Sequence, residues 1–335
     1  MYEVVAKVYR GEGIESVHHG SVIVVNDKKE MTHYVGDPEF FTQARSEAKP
    51  FQIIPLIETG AADHFGFTDK QIAIMCGSHI GAEEHVEVVR SILNVIGLDE
   101  SALQCGTHQP MYQTMQNIPV KEGEKFSPLQ HNCSGKHAGF LALSKFIGDD
   151  IKEYINPKSK TQQLVLSAVS KTYDYPPGKI KIGIDGCSAP VFGMPLRQAA
   201  TAYMSLANQI CEVKELEPIL GRVKAIMTKH PEMVSGEGRF DLALARTFSG
   251  NVINKIGAEG IEGVGFREPK IGIAVKILDG NFRALYPVVI DALRQLGLIE
   301  GVDMTHLEPF MHPKVYNWRN LEVGKIVTDF ELKRV

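Results

Sequence analysis

Lys270-Ile271-Gly272-Ile273-Ala274-Val275-Lys276-Ile277-Leu278 is a run of β-favouring residues that stops at the polar turn Asp279-Gly280-Asn281, and it reads as a strand. A short apolar run, a helix over residues 287–297 and a last strand-like segment over residues 325–330 follow it. The same period-two pattern opens the chain. Residues 4–8, 21–25 and 31–35 alternate as paired strands, separated by Gly11, Gly13 and the turn Asn26-Asp27-Lys28-Lys29, which predicts an antiparallel meander. Between these ends the period changes to that of helices. Residues 135–147, 159–173, 216–228 and 241–247 carry apolar side chains at three- and four-residue spacing behind Ser, Asp or Pro start signals. Two strand-to-helix units are read as well, residues 71–75 into 83–96 and residues 179–184 into 195–207. Strands at both ends and helices between them predict an α/β (α+β) fold. One antiparallel sheet is built from both chain ends (about 1–75 and 250–335) and flanked by helices, with a mainly helical lobe (about 80–248) inserted in a single domain over 1–335.

The 335 residues are 44% hydrophobic and 23% charged, ordinary values that exclude disorder and collagen-like repeats. Thirty-six basic against 40 acidic side chains give a net charge of -4 without blocks of like charge, so neither nucleic acid nor an anionic membrane surface is an expected partner. Glu3, Lys7, Arg10 and Glu12 interrupt any signal-peptide core, and no uncharged apolar run reaches the roughly 18 residues of a membrane span. A soluble, cytoplasmic protein is expected. The five cysteines, Cys76, Cys105, Cys133, Cys187 and Cys211, are an odd number without a C-x-x-C pair, which fits reduced thiols.

Four blocks carry the types of residue that chemistry needs. Ser46-Glu47-Ala48-Lys49 is the only S-x-x-K, and on a helix its hydroxyl and amine share a face. A serine becomes a nucleophile when a neighbouring base takes its proton; the plain alternative is an N-cap serine beside a solvated lysine. In Cys76-Gly77-Ser78-His79-Ile80-Gly81 the glycines permit a tight strand-to-helix turn that exposes Ser78 beside helical N–H groups able to hold an oxyanion, with a capping serine as the alternative. His131-Asn132-Cys133-Ser134-Gly135-Lys136-His137 crowds metal-ligand types ahead of a helix, and Cys133 and His137 share a helical face. Asp185-Gly186-Cys187 could add a second thiol and a carboxylate from another loop. Lys255-Ile256-Gly257-Ala258-Glu259-Gly260 reads as a glycine-rich loop without the order of a phosphate-binding loop. The remaining histidines show no metalloprotease spacing and are read as surface or core residues.

Taken together and in this order, Arg45 to Pro50, Cys76 to His79, Cys133 to His137, Asp185 to Cys187 and Lys255 to Gly260 resemble the asparaginase II family, the thermolabile rhizobial-type L-asparaginases, over nearly the whole chain. The resemblance implies a fold like the serine β-lactamases and glutaminases and a homodimer. It implies hydrolysis of L-asparagine to L-aspartate and ammonia by two Ser-Lys tandems, here Ser46 with Lys49 and Ser78 with Lys255. It further implies a zinc ion held by Cys133, Lys136 and Cys187, with Lys136 in the place that spacing alone assigns to His137. A lysine ligand must be neutral, a state the cation itself promotes. Arg45, His79, Asp185 and His137 are expected around the substrate, and Asp185 could hold its ammonium group or support Lys136. Ser46 is the favoured nucleophile, since Lys49 is its neighbour on a helical face. Alternatives are a related amidohydrolase such as a glutaminase, and a zinc protein without catalysis.

Overall fold

In the computed structural model, which describes residues 2–335, the chain forms two compact units. The first comprises residues 2–47, Met194–Ile210 and Ala243–Val335; the second comprises Ala48–Gly193 and Cys211–Leu242.

The first unit is built on an antiparallel sheet in the order Lys314–Tyr316, Glu322–Thr328, Glu3–Arg10, Gly13–Asn26, Ile271–Ile277, Ile261–Phe266, Val252–Gly257. Met31–Val35 pairs with Gly13–Asn26 and with Lys333–Arg334. Glu3–Arg10 therefore lies between a C-terminal strand and its own hairpin partner, so both ends of the chain share one sheet, as their alternation predicts. Ile271–Ile277 is buried at successive positions, and these alternate between faces, so the strand is covered on both. Helices Leu196–Asn208 and Phe282–Gln295 both pack against it. Two glycines let the first helix come close. Gly265 and Gly272 are cross-strand partners, and a Cβ there would fall 2.1 Å from the Tyr203 carbonyl oxygen and 1.9 Å from that of Ala200. Only a bare backbone fits under that helix.

The second unit is mainly helical, around Ser134–Ile147, whose residues 134–144 are all buried. Asp69–Met75, Glu83–Val95 and Lys160–Thr172 pack on this helix, and Lys181–Ile184 forms a hairpin with residues 190–193. Among the described residues no helix is long and apolar enough to cross a membrane.

Three expectations need correction. Residues 71–75 belong to helix Asp69–Met75, because Thr68 and Gln71 cap its start reciprocally and a short, wholly apolar run fits a buried helix as well as a strand. The sheet-bearing unit accordingly gives way to the helical one after Glu47, not near residue 75, and it takes back Leu196–Asn208 from the middle of the chain. The helix expected from Pro287 starts at Phe282, where the Asn281 side chain accepts from the Arg283 N–H at 3.1 Å and Pro287 is carried inside.

Candidate active site

In the second unit, the turn after helix Asp69–Met75 carries Ser78. A Cβ on Gly77 would lie 2.7 Å from the carbonyl oxygens of both Met233 and Val234, so a glycine is required for the chain to pass. The Ser78 N–H donates to the Val234 carbonyl at 2.8 Å. That N–H is therefore spent within the fold, and Ser78 is buried, not exposed as the turn reading predicted. Its hydroxyl has a specific partner. Lys49, completely buried at the start of helix Lys49–Gln52, donates from Nζ to Ser78 Oγ at 2.9 Å, to the Gly77 carbonyl at 2.6 Å and to the Asn132 carbonyl at 3.1 Å. Three acceptors match the three N–H bonds of an ammonium and fix the amine against the hydroxyl. Three of the four blocks thus meet at one nitrogen.

His79 is turned into the protein interior. It is fully buried, its Nδ1 accepts from the Gly81 N–H at 3.2 Å, and the tautomer this requires donates from Nε2 to Ser134 Oγ at 2.9 Å. Ser134 passes its own proton to the Leu129 carbonyl at 2.8 Å. Burial, with the neighbouring His85 and Lys49, holds His79 well below the ordinary imidazole range, so it is a neutral strut joining the Ser78 turn to helix Ser134–Ile147.

One helical turn further, Lys136 Nζ lies 3.1 Å from Cys187 Sγ, with both side chains buried. A hydrogen bond from the Cys133 thiol, together with the Lys136 charge, holds Cys187 as a thiolate far below the usual thiol range. The same hydrogen bond and burial push Cys133 well above it. Burial alone would lower Lys136, but Cys187, Cys133 and Asp185 outweigh it and hold the lysine charged. Asp185 accepts from the Gly186 N–H at 2.7 Å at the mouth of this loop. His137 turns Nδ1 to the Tyr154 hydroxyl at 2.7 Å; burial lowers its pKa while hydrogen bonding to Cys187 and the thiolate's charge pull the other way. The two cysteine sulfurs are soft donors of the kind zinc takes, and Lys136, 3.1 Å from Cys187, would join them only as a neutral amine. The donor set fits zinc only if Lys136 counts as a ligand, because no group of three or more His, Cys, Asp or Glu side chains among the described residues could hold a metal ion.

The other expected residues belong to the first unit. Ser46 is half-buried in the 3-10 turn Arg45–Ala48. Arg45 has a left-handed backbone (φ 54°) and reaches toward Glu259, with Nη1 at 4.0 Å from Oε1. Lys255 is fully buried on strand Val252–Gly257, not in a loop, and donates to the Ile256 carbonyl at 2.7 Å. Only Ala258, Glu259 and Gly260 form the turn into Ile261–Phe266.

Several supporting contacts were not assigned by the sequence reading. The Asn132 carbonyl acts through its backbone. Tyr154 fixes both His137 and the Gln104 N–H, the latter at 2.7 Å. His85 stacks on His79 with ring centroids 5.3 Å apart, and His131, pushed down to about 3 by burial, accepts from the Cys133 N–H at 3.0 Å.

Residues 6–328 match the family model described as L-asparaginase II. The chain belongs to this family. No curated protein matches it significantly in sequence. Among solved structures it is similar to a protein described as Mglu in its native form, at 12% identity and a TM-score of 0.45, covering 84% of this chain and 65% of that one. This chain thus spans just under two thirds of the length of that protein. A Bacillus glutaminase matches at 12% identity and a TM-score of 0.38, over 83% of this chain and 91% of that one. A β-lactamase from Mycobacterium bovis matches at 13% identity and 0.35, over 82% and 93%.

Proposed function

We propose that this L-asparaginase II family member hydrolyses the side-chain amide of L-asparagine to L-aspartate and ammonia through a lysine-activated serine. The observation that carries the reading is the buried Lys49 Nζ at 2.9 Å from Ser78 Oγ. A buried lysine nitrogen fixed on a hydroxyl by two carbonyls is placed to take that hydroxyl's proton once it has lost one of its own. In the proposed reaction Lys49, once neutral, takes the serine proton as the oxygen attacks the amide carbon. It then returns that proton to the departing nitrogen, which leaves as ammonia. Water next attacks the aspartyl ester, giving a proton to Lys49, which passes it to the leaving serine oxygen, so aspartate departs and both serine and neutral lysine are regenerated.

The hydrogen bond supports Ser78 as the serine that Lys49 serves, in place of Ser46. Ser46 and Lys255 are proposed as the second serine and lysine, and Arg45 and Asp185 as contacts to the charged ends of the amino acid. Cys133, Lys136 and Cys187 would hold zinc, whose charge would help orient the substrate. We take the enzyme to be a cytoplasmic homodimer.

The test is ammonia release from L-asparagine and, separately, L-glutamine by wild type, Ser78→Ala, Ser46→Ala and Lys49→Met. Turnover of asparagine lost in Ser78→Ala and Lys49→Met is the expected result. Preferred turnover of glutamine would make the enzyme a glutaminase, and a covalent ester that still forms in Ser78→Ala would return the nucleophile to Ser46.

A further inference from the structure

Glu47 carries a carboxylate that the proposed reaction leaves unused. It is completely buried, in the 3-10 turn Arg45–Ala48 and directly after Ser46. The turn is fastened to the first unit. The Tyr203 hydroxyl donates to the Glu47 carbonyl at 2.7 Å, and a Cβ on Gly257 would lie 2.9 Å from the Ala44 carbonyl oxygen and 3.2 Å from the Glu47 nitrogen. The Glu47 side chain reaches strand Ile261–Phe266. A Cβ on Gly263 would fall 2.8 Å from Glu47 Oε1 and 2.3 Å from two ring carbons of Tyr203, so a bare backbone leaves the room that the carboxylate takes.

Taking a carboxylate out of water is costly unless a counter-charge or hydrogen bonds meet it. The register of the sheet supplies a cation. Gly263 pairs directly with Lys255, and cross-strand partners share a face with their Cβ positions about 4.5–5.5 Å apart. Lys255 is itself completely buried, and its Nζ spends one donor on the Ile256 carbonyl at 2.7 Å, whereas an ammonium has three. Two other buried charges nearby are directed elsewhere. Glu262, next to Gly263 in the strand, lies on the opposite face, where Asn254 donates to it at 3.1 Å. Lys276 shares the face of Lys255, but its Nζ donates to the carbonyls of Glu259 and Ile277.

We propose that Glu47 is the buried counter-charge of Lys255 and, through it, a positioning residue of the enzyme. Its backbone fixes the neighbouring Ser46 and its carboxylate fixes the Lys255 amine, so one residue sets the serine and the lysine of the second pair relative to each other. A lysine has a long, flexible stem, and displacement of a reacting group by about 1 Å can cost roughly 100-fold in rate. A fixed carboxylate removes that freedom. Glu47 acts through Ser46 and Lys255 and not on the substrate. The inference rests on the reading of those two residues as the second Ser-Lys pair.

The test is a double-replacement cycle on the full chain: Glu47→Gln, Lys255→Met and the two combined, each measured by calorimetry and by kcat and KM for L-asparagine. Glutamine keeps the volume of the side chain and removes its charge. Each single replacement leaves one charge buried without its partner and should lower the melting temperature by about 5 °C or more. The combined variant removes both charges, so its loss should be smaller than the sum of the two. In the same proteins Glu47→Gln should lower kcat by about 10-fold or more, with KM within about twofold of wild type, and should cost nothing further in the Lys255→Met background. Melting losses that simply add would overturn the pairing. An unchanged kcat in Glu47→Gln, or an equal further loss on top of Lys255→Met, would overturn the positioning role. A wild type that turned over neither asparagine nor glutamine would remove the proposed reaction, while the melting temperatures would still decide the pairing.

Discussion

Lys49 shows how far a residue's chemistry depends on what folding brings to it. Its type and position within Ser46-Glu47-Ala48-Lys49 were legible as a candidate base, but helical spacing looks only three or four residues along the chain. Its observed hydroxyl partner, Ser78, comes from a turn that only folding places there. Exchanging the amine for a methionine keeps most of the stem's packing and removes the proton acceptor. We expect Lys49→Met to lower kcat/KM for asparagine by about 10^3 or more while the melting temperature stays near wild type, measured by ammonia release and calorimetry. The sulfur cluster yields a second prediction. Cys187 is held as thiolate, whereas Cys133 and Lys136 are held protonated. A zinc ion bound by all three must displace a proton from Cys133 and another from Lys136, so binding should release two protons per metal near neutral pH and tighten as pH rises. Calorimetric titrations in buffers of different ionisation enthalpy read that number directly. A count of zero would remove Cys133 and Lys136 from the ligand set.

At the scale of elements, patterning succeeded where an element's face is fixed by alternation and failed where an apolar run is uniform. The three N-terminal strands, Ile271–Ile277 and the helices beginning near residues 135, 160, 217 and 241 appear where the sequence places them. Residues 71–75 carry no period, and their capping residues, Thr68 and Gln71, decide for helix. The block from Lys255 to Gly260 resembled a loop because its glycines dominate, yet Lys255–Gly257 finish a strand. Gly265 and Gly272 were equally illegible, since their purpose is to leave room for a helix that arrives from elsewhere in the chain. A methyl at Gly272 would overlap the Ala200 carbonyl at 1.9 Å, whereas Gly148, in a left-handed helix cap (φ 68°), has nothing within 4 Å of a Cβ. Gly272→Ala is expected to destabilise by about 3 kcal/mol or more through displacement of the helix, and Gly148→Ala by about 1 kcal/mol through its backbone alone. Urea unfolding of the two variants side by side checks the order.

For the whole molecule, the split into two units means that stability need not respond uniformly to a ligand. Every proposed zinc donor lies in the helical unit, with Cys133 and Lys136 at the start of helix Ser134–Ile147 and Cys187 in the hairpin after Ile184. Sequence could list these donors but not assign them to one unit, because the boundary after Glu47 depends on contacts between distant segments. A metal that joins residues 133–136 to residue 187 cross-links two segments of the same core, and an ion bound only by the native state stabilises that state by mass action. Local openings that separate the two segments must release the ion, so they become rarer when it is present; openings confined to the sheet of the first unit do not involve it. Adding zinc to chelator-treated protein should therefore slow amide hydrogen exchange by about tenfold or more in Ser134–Ile147 and in Lys181–Ile184. Exchange in Ile261–Phe266 and Ile271–Ile277 should change little. Equal protection in both units would mean that the metal acts on global unfolding, and protection confined to the sheet would place the metal away from Cys133, Lys136 and Cys187.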